Sequence, residues 1–570
     1  MNEQAIFHSH DSSYCFSVSE NSAVFRIRVD KRDKFESIKL VYGSKYWFFE
    51  EQKRKELSKK FTDKYFDYYE TTINFEDFTK DENRIIYIFE LSFEGKNYYF
   101  SEEGVTEKYD FGKAFFSAYQ LPPPNIIDIH KKVDFMDGAV FYQIFVDRFS
   151  KGNEKKDSKY INLKTGDIPT WKCFAGGDLK GIISKLKYLN ELGVTVIYLT
   201  PIFRSNTNHK YDTIDFFEID PHFGSVEDVK TLVDSAHKIG IQVVFDAVFN
   251  HCAEELKQWR DVVEKGKESQ YFDWFTIAGD FPTQEPKNYK SFGNHAYMPR
   301  FNTSNKEVQA FLLKIATYWI KECDIDGWRL DVADEVSKDF WRQFRRSVKE
   351  LKPNAIIIGE NWHDASSYLK GDIFDSIMNY GFTRASIEYF VENNLSSKEY
   401  SETLSKLLMK NTNQANEMLV NLIDSHDMSR FLTRAGENVD KLILALSVLF
   451  LYKGVPMMYY GTEIGMIGGH DPDCRRVFDW SKAEETTPLM NVVKSLSKMR
   501  KSDVIKSGDI KLASDGELFV LERFNENSSI RLSLNNSKNN IKFKAKGKIL
   551  LENNFKNNIL KSYSFVIEQF

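Results

Sequence analysis

Cysteine is scarce and unorganised: Cys15, Cys173, Cys252, Cys323 and Cys474 are five in 570 residues, an odd number, widely spaced and without a CxxC pair. That gives neither a disulfide framework nor a zinc-ligand pattern, so free thiols are expected. Long apolar runs are missing too. No stretch approaches the roughly 18 apolar residues that cross a bilayer, and the opening MNEQAIFHSHDSSYCFSV lacks the basic flank and apolar core of a secretory leader. A soluble, cytoplasmic protein is expected. Excess charge of either sign is absent: 78 Lys and Arg against 83 Asp and Glu leave a net charge of −5. Nothing electrostatic therefore favours nucleic acid or an anionic membrane as partner, and a neutral small molecule or polymer fits better. Internal repeats and low-complexity tracts are also absent.

What is present is a globular composition, 42% hydrophobic and 15% aromatic, on a chain long enough for two to four domains. Residues 1–121 carry short β-branched and aromatic runs (AVFRIRV, IKLVYG, RIIYIFELSF) between polar clusters, the pattern of a small β-sandwich. The lysine-rich KRKELSKK inside it reads as a solvated face or loop. Pro122 to Pro124 form a linker. Over residues 122–502 the rhythm changes to short apolar runs followed by helically spaced segments such as DLKGIISKLKYLNELG and SVEDVKTLVDSAHKIG. The runs AVFYQIF, VTVIYLTPI, IQVVFDAVFN, IDGWRLDVA, AIIIGENW, FDSIMNY, LVNLIDSHD and VPMMYYGTE give eight strand and helix alternations, which predicts a parallel (β/α)8 TIM barrel of the α/β class. After the third run, about residues 250–305 are rich in Trp, Tyr, Phe and Gly and read as an inserted small domain. Residues 503–570 return to short strands in an Asn, Ser and Lys-rich setting, a C-terminal β-domain.

Barrel active sites form at the C-terminal ends of the strands. Each key run here ends in polar groups: Asp246, Asn250 and His251; Arg329 and Asp331; Glu360; His426 and Asp427. In GWRLDVADE, strand alternation puts Trp328, Leu330 and Val332 on one face and Arg329 with Asp331 on the other, so opposite charges meet in a dry place. Standing alone, that would read equally well as a structural ion pair. Four carboxylates from four strands at one mouth favour chemistry. Neighbouring strands lie about 4.8 Å apart, which suits the roughly 5 Å between the two carboxyls of a retaining glycosidase. Asp331 and Glu360 are that pair. Arg329 would keep Asp331 ionised as nucleophile, while Glu360, with no arginine in its own run and Trp362 beside it, would hold its proton as the acid.

The ordered set DAVFNH, GWRLDVADE, GENW and DSHD resembles the α-amylase family, glycoside hydrolase family 13, over nearly the whole chain. The resemblance implies Asp331 as nucleophile, Glu360 as general acid/base and Asp427 as a third carboxylate on the sugar hydroxyls. Arg329, His251 and His426 match helpers around the same subsite, with Asp246 counted among the substrate-binding residues. HKYDTIDFFEIDPHFGS is similar to the family segment whose His209 and Tyr211 contact the sugar at the cleavage point, the tyrosine by stacking. Taken alone, Tyr211 would read as a core aromatic and each histidine as a structural one.

Three stretches resemble the neopullulanase, cyclomaltodextrinase and maltogenic amylase subgroup: the N-terminal AIFHSHDSSYCFSVSENSAVFRIRV; HAYMPRFN, usually MPKLN; and YYGTEIGMIGGHDPDCRRVFDW, whose Asp471 and Arg475 match the donor side of the cleft. Glu335 matches a position near the acceptor sites. Asn361 departs from the pattern, replacing a usual apolar residue. In DRFSKGNEKKDS, Lys151 and Lys156 stand where some relatives have calcium-site asparagines; two ammonium groups oppose a dication, so no metal and no cofactor is expected. The resemblance further implies a homodimer in which one N-terminal domain covers the partner's cleft. Trp47, Phe48 and Phe49 are candidate contacts, with sandwich core as the equal alternative. The expected activity is retaining hydrolysis of α-1,4 bonds in cyclodextrins, maltooligosaccharides and pullulan, with some transglycosylation. An oligo-1,6-glucosidase or glucan transferase, and a catalytically inactive carbohydrate-binding barrel, are the rival readings.

Overall fold

The computed structural model describes residues 1–75, 84–152 and 157–570. All eight apolar runs become strands of one closed parallel barrel: β1 (Phe141–Ile144), β2 (Val196–Leu199), β3 (Gln242–Ala247), β4 (Gly327–Leu330), β5 (Ile356–Gly359), β6 (Ser376–Asn379), β7 (Val420–Asn421) and β8 (Val455–Tyr459), with β8 pairing back onto β1. Almost every residue in them is buried, because helices cover the outer face and side chains fill the inside. That is why they read as continuous apolar runs rather than alternating ones. Gly327 opens β4 at φ +155°, where a Cβ would collide with the carbonyl of Ile356. Only glycine lets β4 close onto β5 there, in the register Arg329↔Ile358 and Leu330↔Gly359. That register brings the next residues of both chains, Asp331 and Glu360, to the same level of the mouth.

The surrounding helices start and stop where local chemistry dictates. Leu179–Leu192 is capped by Asp178, which accepts from the Gly181 amide, and ends at left-handed Gly193. Val226–His237 opens on a capping box between Ser225 and Asp228. Between β3 and the helix Lys306–Cys323 lies the aromatic insertion. It holds the helix Lys257–Lys265, two short 3-10 turns and its own ring cluster, in which Trp259 packs on Phe275 and Tyr289, each at 4.7 Å between centroids.

Residues 1–75 and 84–121 fold as two antiparallel sheets around a core that includes Phe25, Ile27, Leu40, Tyr87 and Phe89. KRKELSKK is not a loop. It forms Lys53–Glu56 and Ser58–Thr62, one at the edge of each sheet, with Leu57 turned inward between them. Outward lysines on edge strands discourage pairing with other chains. The Trp47 to Phe49 cluster splits: Phe48 is buried against Phe111, whereas Trp47 and Phe49 are 51% and 56% exposed. Arg26, buried in the sandwich, donates to Glu70 of its own sheet and to Asn411 and Asn413 of the barrel, docking the two units. At the other end, residues 509–569 form a six-stranded antiparallel sheet. Buried Arg523 fastens it by donating to the carbonyls of Leu451, Ile505 and Gly508. Among the described residues no helix is long and apolar enough to cross a membrane.

Candidate active site

Arg329 is the centre of the site. It lies on β4, is 1% exposed, and one guanidinium reaches three carboxyls from three consecutive strand ends. Its Nη1 donates to Asp331 Oδ1 at 2.9 Å and to both oxygens of Asp246 at 3.0 and 3.1 Å. Its Nη2 stands 2.7 Å from Glu360 Oε1, an ionic contact outside hydrogen-bond geometry. The arginine expected to serve Asp331 alone therefore serves Glu360 as well, because β4 and β5 run side by side in register. Nor does it hold Asp331 down. Burial pushes the Asp331 carboxyl well above the usual carboxylate range and outweighs the opposing pull of Arg329. Burial likewise raises Glu360 and Asp427, and takes Asp246 up to about 6. With Asp471 these are five carboxyls against two guanidiniums, Arg329 and Arg475, so the cluster retains protons that isolated carboxylates would lose.

The strand alternation expected for GWRLDVADE stops at Leu330. Val332 turns to φ +46°, ψ +46°, a left-handed conformation uncommon for a β-branched residue. The turn aims its amide at Glu360 Oε2, 3.0 Å away.

Above this floor is a cleft of about 600 Å³. Asp331, Glu360 and Asp427 line it, with His209, Tyr211 and His251 on one stretch of wall and Glu335, Trp362, Asp471 and Arg475 on others. Asp246, Arg329 and His426 lie beneath it and touch the lining residues from below. Tyr211 donates its hydroxyl to Asp246 at 3.0 Å, and its ring lies parallel to that of His426 at 5.4 Å between centroids. Burial keeps the histidines neutral: His209 and His251 fall to about 3, and His426 falls well below its ordinary value. His209 Nδ1 accepts from the Tyr211 amide at 3.1 Å, so its hydrogen is on Nε2. Asp427 lies 3.2 Å from His426 Nε2 and 3.5 Å from Arg475 Nη2; the same Arg475 nitrogen pairs with Asp471 at 2.7 Å. Glu335 is tied to the insertion through Arg300 at 3.3 Å. Trp362, half exposed, is backed by Tyr380 in a parallel stack at 3.7 Å.

Several contributors escaped the sequence reading. Phe292, Tyr297 and Trp171 line the cleft from the insertion and a long loop, where no periodicity singles them out. Gln143 and Tyr198 sit inside β1 and β2 and bond His426 and Asp246. A glutamine amid AVFYQIF was a signal, since a buried amide needs a partner.

The DRFS segment, a single helical turn at Val146–Phe149, bears on metal binding. Asp147 accepts from Arg148 and from the amides of Ala175 and Gly176, so its oxygens are already engaged. Lys151 is exposed, and Lys156 lies outside the described residues. Among the described residues no cluster of three or more His, Cys, Asp or Glu is arranged for a metal.

Comparison with known proteins adds a separate line. The model of the alpha amylase catalytic domain matches residues 143–509, and that of the alpha amylase N-terminal ig-like domain matches 1–122. A cyclomaltodextrinase of Thermoanaerobacter pseudethanolicus is 40% identical over 94% of this chain and 93% of its own length. An intracellular maltogenic amylase of Bacillus subtilis is 39% identical, covering 88% of this chain and 85% of its own. Among solved structures, a cyclomaltodextrinase superposes with a TM-score of 0.90 at 33% identity, covering 100% of this chain and 98% of that one.

Proposed function

The chain belongs to the α-amylase family, and from that membership we propose that it is a retaining α-glucan hydrolase cutting α-1,4 bonds of cyclodextrins and maltooligosaccharides, with pullulan as a further substrate. The observation that carries the reading is the pair Asp331 and Glu360, on adjacent strand ends, in one cleft and on neighbouring nitrogens of one buried guanidinium. Asp331 attacks the anomeric carbon while Glu360 gives its proton to the departing glycosidic oxygen. Glu360 then takes a proton from water, which releases the sugar from Asp331. Arg329 gives Asp331 a directed hydrogen bond and Glu360 an ionic contact, so the one guanidinium opposes the burial-driven rise of both carboxyls. Asp427, with Arg475 and neutral His426 around it, takes the sugar hydroxyls.

Product chromatography on β-cyclodextrin and soluble starch, with Glu360→Gln beside the parent, tests this. Cyclodextrin should open faster than starch, and E360Q should lose roughly 10²- to 10⁴-fold in kcat. A parent inert on both substrates, or an E360Q of undiminished rate, would sink the reading.

Glu335, fixed by Arg300 on the cleft wall, is the residue we assign to acceptor sugars and hence to some transglycosylation. A homodimer follows from the family reading, and exposed Trp47 and Phe49 supply apolar area for the contact. Sedimentation giving only monomer across micromolar concentrations would remove it. No metal is needed in this scheme, so chelator should leave activity and Tm unchanged. The relative whose name includes "intracellular" supports a cytoplasmic location.

A further inference from the structure

Two tryptophans face the cleft, and they differ in support. Trp362 is backed by Tyr380. Trp171 is 58% exposed and makes no ring stack or cation–π contact among the described residues. An exposed indole on a loose loop would need no explanation. This loop is not loose. The Cys173 amide closes a turn onto the Thr170 carbonyl at 3.2 Å. Asn208 Nδ2 donates to the carbonyls of Trp171 and Cys173 at 2.8 and 2.9 Å. Arg148 donates from Nη2 to the Cys173 carbonyl at 2.8 Å and from Nη1 to the Arg475 carbonyl at 2.6 Å. The loop is thus bound on one side to the residue preceding His209 and on the other to the backbone of Arg475. Trp171 lines the same cleft as His209, Asp471 and Arg475, and its loop backbone is tied toward those residues through Asn208 and Arg148, the donor side by family resemblance.

We propose that Trp171 is a sugar-stacking residue of the donor side, holding a glucosyl ring of a neutral α-glucan chain beyond the unit at the cleavage point. The proposal rests on the α-glucan reading above. An uncharged aromatic face suits the C–H face of a pyranose, and a ring fixed by its loop loses little freedom on binding. Oligosaccharides long enough to reach Trp171 gain this contact and short ones do not, which makes residue 171 a determinant of chain-length preference.

Calorimetric titration in the E360Q background tests it, with maltohexaose and maltose as ligands. E360Q/W171A should bind maltohexaose about 10-fold more weakly than E360Q, with a smaller loss for maltose, and E360Q/W171F should recover most of the affinity. Because phenylalanine keeps a flat ring, W171F also gives a reading if the alanine protein folds poorly. Equal maltohexaose affinity in all three proteins, or equal losses for both ligands, overturns the assignment of Trp171 alone. An E360Q protein that binds neither sugar, together with a parent that cuts none, overturns the α-glucan reading and this inference with it.

Discussion

Replacing Arg329 by glutamine removes one charge and leaves three carboxyls without it. The side chain keeps a polar end but no cation, in a place where Asp246, Asp331 and Glu360 approached the guanidinium at 2.7–3.1 Å. Taking one partner out of a buried ion pair costs about 3–5 kcal/mol. The orphaned carboxyls answer by holding protons, and each unit of pKa is worth about 1.4 kcal/mol. Burial has already raised all three, and the arginine was the largest influence opposing it. A carboxyl raised on folding contributes stability that is complete below its unfolded pKa, about 4, and is lost as pH rises through the folded value. For Asp246 in the parent that folded value is about 6. In R329Q the loss extends to higher pH. The variant should therefore match the parent at pH 5 far more closely than at pH 8, where the full 3–5 kcal/mol applies.

With an unfolding entropy of about 2.1 cal/mol/K per residue over the roughly 370 residues of the matched catalytic region, that is a Tm lowered by about 4–6 °C at pH 8. Scanning calorimetry at pH 5, 6.5 and 8 reads the stability arm. On cyclodextrin the acid limb of kcat/KM should move to higher pH, because Asp331, the proposed nucleophile, ionises later. R329K should fall between the two proteins, since a single ammonium cannot span three carboxyls. A Tm deficit that is the same at pH 5 and pH 8, together with an unmoved acid limb, would refute the view that this arginine governs the cluster electrostatically.

Two further outcomes follow from groups away from the cleft. His130 is buried, and burial lowers its imidazole to about 4. A histidine depressed in this way adds stability above its unfolded pKa of about 6.5 that drains as pH falls toward 4. Relative to the parent, H130Q should gain about 1.4 kcal/mol per pH unit between pH 6.5 and 4.5 in chemical denaturation; a difference independent of pH would contradict the neutral buried ring. Arg26 holds the sandwich to the barrel through two hydrogen bonds to neutral acceptors, so R26A should loosen that junction by about 1.5–3 kcal/mol per lost bond and speed thermolysin cleavage between residues 118 and 130. Cleavage no faster than in the parent would place the docking energy elsewhere.

The barrel was legible because parallel strands buried on both faces leave short unbroken apolar runs, and because its mouth collects the polar residues that end them. Legibility failed wherever one residue's direction depended on a distant one. Lysines in KRKELSKK point to solvent in a loop and on an edge strand alike, and only pairing with Ser37–Ser44 and Phe66–Asn74 decides between them. Trp47, Phe48 and Phe49 are equivalent as letters, yet the turn after Ser37–Ser44 sends only Phe48 inward. Val332, β-branched and flanked by strand-like residues, is expected in extended backbone; the tertiary need for an amide facing Glu360 overrides that preference. Trp171, Phe292 and Tyr297 reach the cleft from segments with no periodic signal, and the loop of Trp171 is anchored by Asn208 and Arg148, residues distant in sequence.

What lies under the floor decides how the floor presents itself. Gln143 Nε2, which can only donate, stands 2.8 Å from His426 Nδ1, so that nitrogen accepts and the single hydrogen of the neutral ring sits on Nε2. Nε2 is 2.6 Å from the Tyr211 hydroxyl, which therefore receives the hydrogen bond and passes its own proton toward Asp246 Oδ2. Asp246 is the terminal acceptor, and Tyr198 and Arg329 also bond it. The chain runs in one direction only, from an amide on β1 to a carboxyl on β3, and it fixes the plane of Tyr211 without any contact between that ring and a sugar. Gln143→Glu inverts the first link, since a carboxylate accepts where the amide donated. His426 would then carry its hydrogen on Nδ1, Nε2 would become an acceptor facing the tyrosine, and Tyr211 would have to choose between His426 and Asp246. A substitution with no surface on the cleft should thereby raise KM by releasing Tyr211 from its fixed plane on the cleft wall, and a Q143E protein with unchanged KM would show that Tyr211 is held by its own loop instead.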